Sequence, residues 1–103
     1  VVTSSTGITA NNGYITNSGS TVVLTLPSTA LVGQIIEVVG IASGGWKVAQ
    51  LSNHQIHFGI TNSVSGTTGY IQSTQTYDAV RLLCTVTNNE YTVISAVGNI
   101  TIN

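Results

Sequence analysis

The chain is 103 residues long and carries only five charged residues, Glu37, Lys47, Asp78, Arg81 and Glu90, where an ordinary soluble domain has about a quarter of its residues charged. Two cations cannot form the basic stripe that neutralises phosphates or the cluster that holds an anionic membrane, so neither nucleic acid nor a lipid surface is an expected partner. No apolar run approaches the ~20 residues that a helix needs to cross a bilayer, and no membrane insertion is expected.

Ser, Thr, Asn and Gln take the place of charge. Such a surface is wet but repels its own copies weakly, which favours self-association. One domain over residues 1–103, with a single core, is the expectation for this length. The chain opens at Val1 and contains no methionine, so it is expected to be a processed product or an excerpt.

Residues 1–9 are polar and β-branched, and are expected to form an extended assembly arm. Asn11-Asn12-Gly13 and Asn17-Ser18-Gly19 are turn signals on either side of Tyr14-Ile15-Thr16. Ser20–Leu26 alternates, with Val22, Leu24 and Leu26 on one face, and Pro27 ends it because proline cannot donate to a ladder. Gln34–Ile41 is apolar on both faces except at Glu37, which predicts a strand covered on both sides, by a second sheet plus a hairpin or by a neighbouring copy. Ser43-Gly44-Gly45 is expected to be a hairpin corner that returns Trp46 and Val48 to the core.

Ile56 and Phe58 alternate with Gln55 and His57, and 60–69 is the longest irregular stretch, the natural place for variability or binding. Gly13-Tyr14-Ile15 recurs as Gly69-Tyr70-Ile71, a recurrence compatible with two similar halves. From Tyr77 to Val97 the sequence predicts a β-hairpin, with Val80, Leu82, Cys84 and Val86 on one face and Asn88-Asn89 at the turn, where Asn tolerates positive φ. Ile100-Thr101-Ile102 is a last strand. Nothing has helical periodicity, so the fold class is all-β: an antiparallel β-sandwich or jelly-roll-like barrel of about eight to nine short strands.

Leu24-Thr25-Leu26-Pro27-Ser28-Thr29-Ala30, followed by Val32-Gly33-Gln34-Ile35-Ile36-Glu37-Val38-Val39-Gly40, resembles a segment of the small β-domains of bacteriophage tail fibres and related extracellular fibre proteins. The order of elements continues through Gly45–Gln50, Gln55–Gly59, Val80–Cys84 and Glu90–Ser95, with Gln34 where an Asp is common and Tyr91 where a Trp is common. The resemblance implies a non-enzymatic module on a virion or in the extracellular space. Such a module assembles with copies of itself as a trimer or fibre, and its loops are presented to a surface glycan.

The candidate chemistry is sparse. His54 and His57 are the only imidazoles, and three positions apart on a strand they face opposite ways, so no metal site is expected. The three carboxylates stand without a partner at motif spacing, which gives no catalytic residues and no cofactor. Ion pairs are expected between Asp78 and Arg81 and between Glu37 and Lys47. Cys84, alone and on the apolar hairpin face, is expected in the core. The candidate glycan contacts are Tyr14, Trp46, Tyr70 and Tyr77, and the candidate assembly contacts are Val1, Val2, Ile8, Ile100 and Ile102. The terminal segments lack the charges that guard a sheet edge.

Overall fold

The computed structural model describes residues 1–103 and consists of strands and loops without a helix. In chain order the strands are β1 (Thr6–Gly7), β2 (Asn12–Thr16), β3 (Val22–Thr25), β4 (Ile35–Gly40), β5 (Trp46–Ala49), β6 (Gln55–Phe58), β7 (Thr61–Asn62), β8 (Tyr70–Ser73), β9 (Ala79–Val86), β10 (Glu90–Val97) and β11 (Ile100–Ile102). They form a five-stranded sheet, β1-β3-β5-β8-β11, and a six-stranded sheet, β2-β4-β9-β10-β6-β7.

The all-β sandwich-like class is thus as expected, but the strand count and the purely antiparallel pairing are corrected, and no barrel closes. From β1 to β6 the chain alternates between sheets, so strands that enter the same sheet successively run in the same direction. Thr6 pairs with Leu24 and Leu24 with Val48 in one sheet, while Asn12 pairs with Ile36 in the other, all in parallel. The first half of the chain is therefore a coil. Apolar alternation reports which face of a strand is buried, whereas partner and direction depend on the connections.

The glycine pair shows how the connections differ from expectation. Residues 43–45 form an arch that carries the chain from β4 across to β5 in the opposite sheet, and not a hairpin corner. The Gly44 N–H donates to the Ser18 carbonyl of the preceding arch at 2.9 Å, and a Cβ on Gly44 would collide with the Ser20 backbone. Arch stacked on arch requires glycine here because the two backbones touch.

The hairpin forms as predicted from β9 and β10, with Asn88 at φ 64°. Across the sandwich, Val22, Leu24, Trp46, Val48 and Ile71 of the five-stranded sheet meet Ile36, Val38, Ile56, Val80, Leu82, Cys84 and Tyr91 of the six-stranded one, all buried. Val86, expected on the same face, lies past the end of this core and is exposed. The recurring Gly-Tyr-Ile does not mark two halves: β2 pairs in parallel with β4, whereas β8 pairs antiparallel with β5 and β11.

Both termini are tied to their own chain. The Val2 N–H donates to Ile15 at 2.7 Å and the Val2 carbonyl accepts from Asn17 at 2.9 Å, and Ile8 is buried in the core. At the other end, Asn103 exchanges backbone hydrogen bonds with Tyr70 at 3.0 and 3.3 Å and accepts from Val64 at 2.9 Å. The expected arm over 1–9 is therefore part of the domain, and order at the ends needs no neighbouring copy. The stretch 60–69 is also less free than expected, because it contains β7 and buries Ser63.

Candidate functional site

β4 is apolar on both faces, but the sandwich covers only one of them. Ile36 and Val38 point into the core while Ile35, Glu37 and Val39 point out, and no third layer lies over them. Register carries this outward face across four strands. One row runs Gly13, Glu37, Arg81, Ser95, and the next runs Ile15, Val39, Ala79, Val97. Small side chains at Gly13, Ala79 and Ser95 leave a cleft of about 350 Å³, walled by Ile15, Val39 and Val97. A second, more polar hollow beside it is lined by Asn11, Asn12, Ile35, Glu37 and Arg81.

Glu37 sits opposite Arg81 in the antiparallel β4–β9 register, with Arg81 Nε 3.6 Å from Glu37 Oε1. This corrects both expected ion pairs. Lys47 lies on the other sheet with its ammonium 4.0 Å from the centre of the Tyr70 ring, a cation–π contact on adjacent strands. Asp78 is buried, and its Oδ2 accepts from the Thr74 N–H at 2.9 Å, the Gln75 N–H at 3.0 Å and the Thr74 hydroxyl at 3.2 Å. Burial pushes the Asp78 carboxyl up, but the donors from Thr74 and Gln75 outweigh it and hold the pKa below the ordinary carboxylate value.

The two histidines occupy different settings. His57 faces outward between β7 and β10, with Nδ1 2.6 Å from Asn62 Oδ1 and Nε2 2.6 Å from Glu90 Oε1. The hydrogen bond to Asn62, then that to Glu90, raises its pKa. His54 is buried. Its Nδ1 accepts from the Leu51 N–H at 3.0 Å, which leaves the proton on Nε2, where it has no partner. Burial lowers its pKa. The ring stands edge-on to Tyr91 at 5.7 Å, and the Tyr91 hydroxyl is also buried without a partner. Burial pushes that phenol up to about 12 and raises the Cys84 thiol as well.

Gln50 organises the base of the 60–69 loop. Its Nε2 donates to the carbonyls of His54, Val64 and Gly66, each at 2.9 Å, and its Oε1 accepts from the Ser63 hydroxyl. Three of the four partners are main-chain carbonyls, which a side-chain pattern does not reveal, so the cluster was not legible in the sequence.

The four candidate sugar-stacking aromatics are not brought together. Trp46 is buried with its Nε1–H donated to the Asp78 carbonyl at 2.9 Å, and Tyr14 folds back so that its hydroxyl accepts from the Thr9 N–H at 2.8 Å. Tyr70 is half-buried beneath Lys47, and Tyr77 alone is exposed, in a left-handed conformation at φ 69°. Of the candidate assembly contacts, Val1 is exposed, Val2 bridges to Thr16, Ile8 is core, and Ile100 and Ile102 pack half-buried against the core. No protein-family model matches this chain, and no curated protein matches it.

Proposed function

We propose that this chain is a non-enzymatic structural subunit or repeat of a self-assembling fibre or virion appendage in an extracellular setting, with copies of itself as partner. The observation that carries the reading is the open apolar face of the six-stranded sheet, on a domain with five charged residues in all. A contiguous apolar surface of this kind marks an interaction site, and weak self-repulsion lets copies approach. The fibre and virion setting rests on the resemblance to tail-fibre domains.

Light scattering across a concentration series, followed by electron microscopy of the largest species, tests the reading. Oligomers or filaments support it, and a monomer at every concentration overturns it. A second reading, a glycan-binding tip module that presents the 60–69 loop, is favoured by Ile60, which projects wholly into solvent from that loop. Replacing the loop by a Gly/Ser linker separates the two: loss of glycan binding with assembly intact favours the tip module.

A further inference from the structure

We propose that the outer face of the six-stranded sheet pairs with the same face of a second copy about a two-fold axis that runs along the strands between β4 and β9. The proposal rests on the assembly reading above and assigns it a surface.

The argument begins with register. β4 and β9 are central to the block β2-β4-β9-β10, and the residues of each row stand at the same height along the strands. Rotation by half a turn about an axis lying in the face, parallel to the strands and midway between β4 and β9, exchanges β4 with β9 and β2 with β10. Height is unchanged, so every row lands on itself. Glu37 then meets Arg81 of the second copy, and Arg81 meets its Glu37. In the adjoining row Val39 meets Ala79, a larger side chain over a small one at the cleft, and Ile15 meets Val97 in apolar contact at its flanks. Gly13 meets Ser95, which leaves room for the four charged side chains between the sheets.

Charge selects the occupant. Lys47 is on the opposite sheet, Asp78 is buried in its loop and Glu90 is engaged with His57. The two rows therefore carry one acid and one base, side by side. An unrelated apolar partner would have to present a matching pair, whereas a second copy presents it automatically, because isologous contact is self-complementary. Neither row contains an aromatic ring on which a sugar could stack. Two twisted sheets packed face to face at about 10 Å with strands nearly aligned are an ordinary arrangement. The block is four strands wide, at the small end for stable interfaces, so the dissociation constant is expected to be on the order of micromolar.

The test is sedimentation equilibrium of the full chain and of four variants: Glu37→Arg, Arg81→Glu, the double exchange Glu37→Arg/Arg81→Glu, and Val97→Glu. Circular dichroism melts establish that each is folded. Both charges are exposed and Val97 is 65% exposed, so none of the changes introduces an unpaired charge into the core. Each single variant should weaken the dimer tenfold or more, because like charges then face each other or a carboxylate enters the apolar row. The double exchange should restore it, and an equimolar mixture of Glu37→Arg and Arg81→Glu should form a heterodimer. Wild-type protein that stays monomeric overturns both this pairing and the assembly reading. Wild-type protein that associates while the single variants associate equally well overturns the pairing alone, as does a mixture that fails to recover the complex.

Discussion

Trp46 and Asp78 tie the two sheets together: the indole Nε1–H on β5 donates to the Asp78 carbonyl, immediately before β9, at 2.9 Å. The Asp78 carboxylate at the same time gathers the Thr74 and Gln75 donors, and a Cβ on Gly98 would run into it. One residue thus closes the β8–β9 connection and positions the largest core side chain. Asp78→Ala is expected to lower stability by about 1–3 kcal/mol, since it removes the charge-assisted hydrogen bonds that a buried carboxylate accepts from the Thr74 and Gln75 N–H groups. Urea denaturation with an unchanged m-value checks this.

Asp78 also sets an acid limb. Its folded pKa lies below the ordinary 3.8, so its contribution is fully present above that value and is lost as pH falls through the folded one. The Asp78→Ala variant should therefore show a flatter loss of stability below pH ~4 than the wild type. Coincident acid-unfolding curves for the two proteins would refute the assignment.

The histidines should act in opposite directions. His57 has a folded pKa above 6.5, so its pairing with Glu90 stabilises fully below that value and fades as pH rises through the folded one. His54 has a folded pKa below 6.5, so folding loses free energy as pH falls through the unfolded value and the unfolded chain takes up a proton. His57→Ala should leave stability that only falls on acidification through this range. The effect of His57 is expected within about 1 kcal/mol because the pair is near the surface, and NMR titration of the two imidazoles reads both directions.

Leu82 and Ile94 separate core from surface within the hairpin. Leu82 is fully buried, and Leu82→Asp is expected to abolish folding. The return arm, by contrast, slips register between Val93 and Ser95, and this bulge turns Ile94 out to 46% exposure. Ile94→Asp should fold, within about 1 kcal/mol of wild type. Thermal melts of the two variants decide it.

Tyr91→Phe removes a buried hydroxyl that has no partner. Stability should stay level or rise by up to about 1 kcal/mol, since an unsatisfied polar atom is lost at nearly constant volume. A loss above about 2 kcal/mol would mean that the hydroxyl is hydrogen-bonded in solution.

The hairpin and the inward-facing residues were legible because side-chain alternation and turn chemistry are local. The coil was not, since Gly44-Gly45 suits an arch between sheets as well as a hairpin corner, and only the stacking on Ser18 and Ser20 distinguishes them. Glu37 finds Arg81 and not Lys47 because β4 pairs with β9, a partnership formed across a long sequence separation. The two-sided apolar pattern of 34–41 is visible in the sequence and predicts cover on both sides. Its outward half is the candidate face itself, left open by the fold.

A ribosome delivers this chain from the end that can least fold by itself. β1 to β5 alternate between layers, so none of them can pair with its immediate successor. Until β9 emerges, β4 has only the edge strand β2 beside it, and the inner faces of Ile36 and Val38 stay wet. The sole long local pairing is β9 with β10, near the C-terminus. Nucleation therefore falls to a hairpin that follows the coil in the chain, and the coil closes only once that hairpin is present, at the milliseconds-to-seconds pace of non-local β topologies. During that wait the coil offers unpaired, nearly uncharged strands to other copies, so association before closure competes with folding.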